Sequence, residues 1–406
     1  MRRLWLIATA SALYAQPLSS LIDSAHSNEK VVSLNQRVNA AGLNHDAIER
    51  SYLPRIDAFT NGTFVDHTGG FDAKRSVAAG LKGEITLFDG FKREHALQQS
   101  NALENSARYN LSNGKKEITL DVIRQYFELQ NTLDEIQTQT HMYDQLSAQL
   151  IRLEKFRSVG LASEDALMRM RSERSHAQYQ LEDLRYQSDR QKGDLETISN
   201  QKITDLQPST LMEPKATQAQ PLDSLKALQY SRDAKRHEAE KADAGFLPTI
   251  KIEDQYAYYD YYQDPIAAMR VNTQNKVIAS LSMNLLDFST ASTAKQALMA
   301  QAQAQTSELA YASKEANQNF VMATRYIERS RALIDAAQSA FDAATQTLDA
   351  VTHKYEARIV DYVTYLDALH SLTDATNRLS RAKRSLHYAY ATYYYYAGQD
   401  PKEFIQ

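Results

Sequence analysis

The sequence predicts a mostly α-helical chain with a small β part, built as two tandem repeats. Three observations predict it. Prolines fall only at 17, 54, 208, 214, 221, 248, 265 and 401, leaving 92–200 and 289–400 free to form long helices. Short stretches alternate apolar and polar residues with a period of two, the pattern of a strand with one wet face. Fragments of the first half recur in the second at a nearly constant offset.

At the N-terminus, Met1-Arg-Arg3 is basic, Leu4 to Leu13 is mostly apolar, and Leu13-Tyr-Ala15 is a plausible cleavage site. This pattern predicts a secretory leader over 1–15. Residues 16–207 read as the first repeat. A helix leads to the boundary Tyr52-Leu-Pro-Arg-Ile56, and two strands, a long helix, a short turn and a returning helix follow. The second strand is VAAGLKGEITLFD (77–89). Val77, Ala79, Leu81, Gly83, Ile85 and Leu87 share one parity, and Ala78, Gly80, Lys82, Glu84 and Thr86 the other. HTGG (67–70) reads as an exposed loop between the strands. Pro208, Pro214 and Pro221 mark 208–222 as a linker.

Residues 223–400 repeat the plan, with 401–406 as a tail. Phe246-Leu-Pro-Thr-Ile250 matches Tyr52-Leu-Pro-Arg-Ile56, and Leu285-Leu-Asp287 matches Leu87-Phe-Asp89. Lys354-Tyr355 matches Lys155-Phe156, and Leu366 matches Leu167. An internal duplication explains these matches. The alternation returns as Ile250, Ile252, Tyr256 and Tyr258 against Thr249, Lys251, Glu253 and Gln255. It continues as Leu281, Met283 and Leu285 against Ser280, Ser282 and Asn284, with QDPIAAM (263–269) as the intervening loop.

The helices carry a coiled-coil seam. Phe320, Ala323, Ile327, Ser330, Ile334, Ala337, Phe341, Ala344, Leu348, Val351 and Tyr355 follow alternating steps of three and four. Leu372, Leu379 and Leu386 continue it at sevens. Helices over roughly 92–157 and 289–355 are each about 100 Å long at ~1.5 Å per residue.

Composition narrows the function. A net charge of −4 gives no basic excess for nucleic acid. Mean hydropathy is −0.53, and no run of about 18 apolar residues follows the start. The chain has no cysteine, hence no disulfide or thiolate metal site. There is no Gly-x-x-x-x-Gly-Lys loop, Gly-x-Ser-x-Gly or His-Glu-x-x-His, and the ten histidines are scattered without metal spacing. The expectation is a protein that is no enzyme, without cofactor or resident metal.

Four strands, each apolar on one side, are too few for a closed membrane barrel, which needs about eight. Several copies together close one, and closure removes the open edges that lipid forbids. Val77, Leu81, Ile85, Leu87, Ile250, Ile252, Leu281, Met283 and Leu285 then face lipid. Lys82, Glu84, Lys251 and Glu253 face a watery lumen, and Tyr256, Tyr258, Tyr259, Tyr261 and Tyr262 suit an interfacial aromatic girdle. The alternative is a small soluble sheet packed on a helix.

The two-fold repeat, the X-Leu-Pro strand openings, Leu-Phe-Asp-Gly (87–90), Val-Gly-Leu-Ala (159–162) and Tyr-Leu-Asp-Ala (365–368) together resemble the TolC family of outer-membrane export ducts. The resemblance covers about 25–400 and rests on motif order and spacing. It implies a homotrimer whose shared twelve-stranded transmembrane barrel continues as a helical tunnel across the periplasm of a Gram-negative bacterium. It also implies partners: a periplasmic adaptor (membrane fusion) protein, an inner-membrane transporter that supplies energy, and outer-membrane lipid. The expected function is a passive duct of a tripartite efflux pump or type I secretion system. The rival expectation is a soluble periplasmic coiled-coil tether or adaptor. Such an adaptor should have one central hairpin flanked by β domains, whereas this chain has two hairpins in tandem.

The same resemblance assigns roles to two turns. Gly160 can take a left-handed conformation after the first long helix, and Ser163 can cap the next. Residues alone support only a hairpin turn; the resemblance makes Val159, Gly160, Leu161 and Ala162 the contact for the adaptor. The second turn, 355–368, is implied to be the periplasmic gate, with Tyr355, Asp361, Thr364 and Asp367 as its residues. Asp361 reads most simply as an N-cap. Asp367 matches a ring aspartate of relatives, whose second acidic position is Thr364 here. Tyr355 matches a latch tyrosine whose arginine partner position is Val360 here, and many relatives carry glycine near Arg358. The run Tyr393–Tyr396 covers every side of a helix, which requires some of these rings to be exposed or in a subunit interface.

Overall fold

The computed structural model describes residues 16–66, 71, 73–215 and 219–406. The leader expected over 1–15 and the loop HTGG (67–70) lie outside the described residues. In chain order the elements are α1 (Leu18–Ala25), α2 (Glu29–Arg50), β1 (Arg55–Phe64), β2 (Arg75–Asp89), α3 (Lys92–Ser158), α4 (Glu164–Ser199), α5 (Asp223–Asp243), β3 (Thr249–Tyr262), β4 (Thr273–Ser282), α6 (Thr290–Glu356) and α7 (Tyr362–Tyr396). The chain forms two compact units. One comprises Leu34–Leu111 and Ser224–Ala312; the other takes the described residues up to Ser33, with Ser112–Asp223 and Ser313–Gln406.

The first unit holds a four-stranded antiparallel sheet of order β1-β2-β3-β4. Register sorts its side chains. Lys82 is opposite Gln255 and Glu84 opposite Glu253, so these charges share one face. There Lys82 pairs with Glu253 at 2.9 Å and Lys251 with Glu84 at 2.8 Å. The other face carries Val77, Leu81, Ile85, Ile250, Ile252 and Leu281, and no helix covers Val77, Leu81 or Leu281, which are exposed. Asp254 and Asp260 also fall on this face, opposite Gly83 and Val77.

Two expectations about the sheet need correction. The tyrosines do not form one girdle: Tyr256, Tyr258 and Tyr262 lie on the apolar face, whereas Tyr259 and Tyr261 stack on the polar one at 6.0 Å. The alternation through Leu285 does not make a strand through Leu285. β3 begins at Thr249, just after Pro248, and its neighbours β2 and β4 end opposite it at Asp89 and Ser282. Met283 and Leu285 therefore have no partner strand among the described residues. In β2 the register shifts between Thr86 and Phe88, so Leu87 is the extra residue of a bulge.

Each sheet exit is built alike. Asp89 accepts from the backbone N–H of Arg93 at 3.2 Å, and Asp287 from that of Ala291 at 2.8 Å, so each aspartate caps the long helix after it. Arg93 also donates to Thr86 O and lies 4.4 Å from the centre of the Tyr52 ring, binding the strand's end to the start of β1.

In the second unit, α1 is fully buried through Leu18, Leu21, Ile22 and Ala25. Every residue of the α6 seam within this unit, from Phe320 to Tyr355, is buried or half-buried. Towards the hairpin ends, Met142, Leu146, Leu150 and Leu153 of α3 pack with Leu167 and Met170 of α4 and with Tyr365, Leu366 and Leu369 of α7. At the opposite end of α7, a bridge joins Gln16 to Leu206 and another joins Leu211 to Ile405. The Tyr126 hydroxyl donates to Gln207 O.

The tyrosine run closes this end. Tyr393 and Tyr394 are buried, and Tyr395 and Tyr396 are half-buried. Tyr394 stacks on Phe404 at 3.6 Å and donates to Met212 O at 3.1 Å. Tyr393 packs on Phe320, and Tyr395 reaches Asn113 at 3.4 Å. None of the four is exposed, because the linker and tail supply the partners that a bare helix lacks.

Candidate functional site

The candidate site is the pair of helix-hairpin turns in the second unit. Both long helices end in the same backbone motif. After α3, Leu161 N–H donates to Phe156 O (2.8 Å) and Gly160 N–H to Arg157 O (3.0 Å). After α6, Ile359 N–H donates to Lys354 O (2.8 Å) and Arg358 N–H to Tyr355 O (3.1 Å). This is the Schellman arrangement, which needs a left-handed residue at its centre. Gly160 supplies it with φ 75°, and Arg358 with φ 62°. The returning helices are capped by Ser163, which accepts from Ala166 N–H, and by Asp361, which accepts from Thr364 N–H. These caps, with the Thr364 hydroxyl, hold the Asp361 carboxyl below its usual range.

The two turns meet side by side. Arg152 and Arg358 both approach the Phe156 ring, at 5.5 and 5.1 Å from its centre. Arg152 pairs with Glu356 across the hairpins at 3.2 Å. A cleft of about 210 Å³ lies between them, with Leu161, Ala162, Val360 and Tyr362 among its walls. Tyr355 stacks on Tyr365 at 5.1 Å, and burial pushes the Tyr355 hydroxyl up while nearby Arg152 opposes it.

The expected residues fall into three groups. Val159, Gly160 and Leu161 are exposed at the first turn and Ala162 is half-buried. Asp361, Thr364 and Asp367 are exposed, while Tyr355 is half-buried against the bundle. In the sheet, Val77, Leu81, Leu87, Leu281, Met283 and Leu285 are exposed, and Ile85, Ile250 and Ile252 are half-buried. Sequence reasoning missed Arg152, Phe156, Glu356 and Arg358. The signal was partly present, since Phe156 stands at the place of Tyr355 in the repeat.

The sheet with two free edges and the very long paired helices can be set beside known folds and families. Residues 219–399 match the model of the outer membrane efflux protein family. The fold is similar to that of VceC from Vibrio cholerae, with TM-score 0.81 at 14% identity over 94% of this chain and 96% of that one. It is similar to CmeC from Campylobacter jejuni, with TM-score 0.82 at 12% identity over 94% and 85%. It is also similar to the open state of MtrE from Neisseria gonorrhoeae, with TM-score 0.79 at 16% identity over 94% and 89%. At these identities the likeness is one of fold. No curated protein sequence matches the chain.

Proposed function

We propose that this protein is a passive outer-membrane duct in a tripartite efflux pump or type I secretion system. It works as a homotrimer whose twelve strands close one barrel in outer-membrane lipid. Its helical part opens towards an adaptor and an inner-membrane transporter, which supplies the energy. The observation that carries this reading is the sheet: an apolar face left bare, a charged face knit by ion pairs, and two open edges. Water penalises the first and lipid forbids the last, and closure by further copies resolves both. The outer membrane efflux protein domain supports it independently.

Within this reading Val159, Gly160, Leu161 and Ala162 present the adaptor contact. Asp367, Thr364 and Asp361 of three copies gather at the periplasmic constriction, where like charges attract cations. Tyr355 is held in the packed core rather than by the absent arginine at 360. Arg152–Glu356 and the Arg358–Phe156 contact tie the second hairpin to the first and favour the closed form, and opening is a shift between two packed arrangements. Residues 16–207 and 223–400 act as the two repeated modules, joined by 208–222.

Native mass spectrometry of the detergent-purified mature protein tests the reading. A trimer is expected. A monomer that stays soluble without detergent overturns it in favour of the coiled-coil tether.

A further inference from the structure

A cavity of about 440 Å³ lies in the first unit, at the sheet-side ends of three helices. Ala47, Ile48 and Ser51 from the end of α2, Lys92 and Arg93 from the start of α3, and Lys241 from the last turn of α5 are among its walls. It joins apolar side chains to three cations, and no acidic residue lines it among the described residues.

The three cations are not equivalent. Arg93 is spent within the fold: it pairs with Asp89 at 2.9 Å, donates to Thr86 O at 2.8 Å and lies against the Tyr52 ring. Lys92 and Lys241 have no carboxylate partner among the described residues, and Lys241 is half-buried. What the cavity offers a ligand is therefore two ammonium groups in a recess with apolar walls. A recess of that kind attracts an anion more strongly than an open surface does.

The rim towards the sheet is apolar. Leu53 follows Ser51 by two residues, Phe91 precedes Lys92, and Leu247 follows Lys241 by six, and all three apolar side chains are exposed. Phe91 meets Phe88 edge-on at 5.3 Å, and Phe88 stands opposite Ile250 on the apolar face of the sheet. The apolar face thus runs into an apolar rim and then into ammonium groups. This is the profile of a membrane boundary, where acyl chains give way to phosphates.

The second exit provides an internal comparison. By the match of Asp89 with Asp287, Lys92 and Arg93 correspond to Thr290 and Ala291. Lys295, one turn further on, is held by Glu240 at 3.3 Å and by Asp243 at 2.8 Å. The two exits share a backbone plan, and the free ammonium groups stand at the first.

We propose that this cavity binds the phosphate of an anionic phospholipid in the leaflet that faces the periplasm. Lys92 and Lys241 contact the phosphate oxygens, and the acyl chains run along Phe91, Leu53 and Leu247 towards the sheet. The proposal rests on the duct reading and adds a specific lipid contact to it. One site per chain places a ring of bound headgroups around the assembly, which fixes the depth at which the barrel sits in the bilayer.

Native mass spectrometry of the detergent-purified trimer, titrated with phosphatidylglycerol, tests this. Lipid should bind at one site per chain. Lys92→Gln/Lys241→Gln should lower the binding constant roughly thirty-fold, the worth of two lysines at an anionic lipid surface. Lys92→Arg/Lys241→Arg should restore most of the binding, and Lys295→Gln, at the other exit, should leave it unchanged. Phosphatidylcholine, whose headgroup has no net charge, should bind more weakly than phosphatidylglycerol. Equal binding by wild type and the glutamine variant, or of the two lipids, overturns the site. Inorganic phosphate that displaces the lipid and depends on the same two lysines makes it a free-anion site and overturns the lipid assignment. In each of these cases a trimeric mass leaves the duct reading standing. A monomer overturns both.

Discussion

Gly160 and Arg358 occupy the same place in two copies of one turn: each is the left-handed residue that lets a long helix close its last carbonyls. Glycine takes this conformation freely, whereas a side chain there costs roughly 1–2 kcal/mol. At 358 the residue is arginine, and its guanidinium rests against Phe156.

The first prediction compares the two turns. Gly160→Ala should destabilise its hairpin end by about 1 kcal/mol. Arg358→Gly should be close to neutral, because relief of strain is offset by loss of a cation–π contact worth about 0.5–1 kcal/mol at an exposed site. Amide exchange at Leu161 and Ile359, the terminal donors of the two motifs, reads each effect directly.

The contacts between hairpins should bias the gate without holding much stability. Arg152 and Glu356 are both partly solvated, and such pairs couple by about 0–1 kcal/mol. Arg152→Ala with Phe156→Ala should raise single-channel conductance in planar bilayers while leaving the melting temperature nearly unchanged. Unaltered conductance would remove this cluster from the closing mechanism.

Asp367 separates gate from surface. Asp367→Asn should weaken block by added divalent cations in the same bilayers, whereas Asp361→Asn should chiefly loosen the start of α7, whose Thr364 N–H it accepts. Block that is unaffected by the Asp367 change excludes an acidic ring there.

The sheet faces should differ in their tolerance of charge. Leu81→Arg adds a cation to the exposed apolar face and should cost about 2–4 kcal/mol if it lies near the bilayer midplane. Gln255→Glu puts a carboxylate opposite Lys82 on the face that already carries ion pairs and should fold normally. Folding yields in lipid vesicles compare the two, and equal yields would mean that Leu81 does not face lipid.

Two histidines predict an acid dependence. Burial lowers the pKa of both His26 and His387 from 6.5. The His387 ring accepts from Leu211 N–H and stacks on Phe127, and its neighbour Arg384 further disfavours a second positive charge. The folded state therefore prefers the neutral rings. Their contribution is complete above pH 6.5 and declines as pH falls through the lower folded values. Thermal melts should drop between neutral and mildly acid pH, and His26→Gln/His387→Gln should flatten that slope.

What could be read in the sequence was what a single element or turn determines. The α6 seam was legible because heptad spacing is local, and the Ser163 and Asp361 caps because a cap acts within three residues. What could not be read depends on neighbours distant in sequence. The repeat marks Phe156 as the counterpart of Tyr355, but not as the ring that Arg152 and Arg358 share, because Arg358 lies about two hundred residues away in the chain. The tyrosine run looked overexposed because Met212 and Phe404, its partners, come from a linker and a tail without regular structure. The strand was read too far, to Leu285, because periodicity reports what a residue suits and not whether a partner is present.

The bridges Gln16–Leu206 and Leu211–Ile405 have a consequence for descent. The first half leaves from one point and comes back to it, and the second half leaves from the adjoining point and does the same. Each is a closed circuit with its ends pinned together. A gene segment encoding such a circuit can be copied in tandem without any long connection to span, since the exit of one circuit already lies at the entrance of the next. The linker 208–222 begins inside that clasp and need not run the length of either circuit.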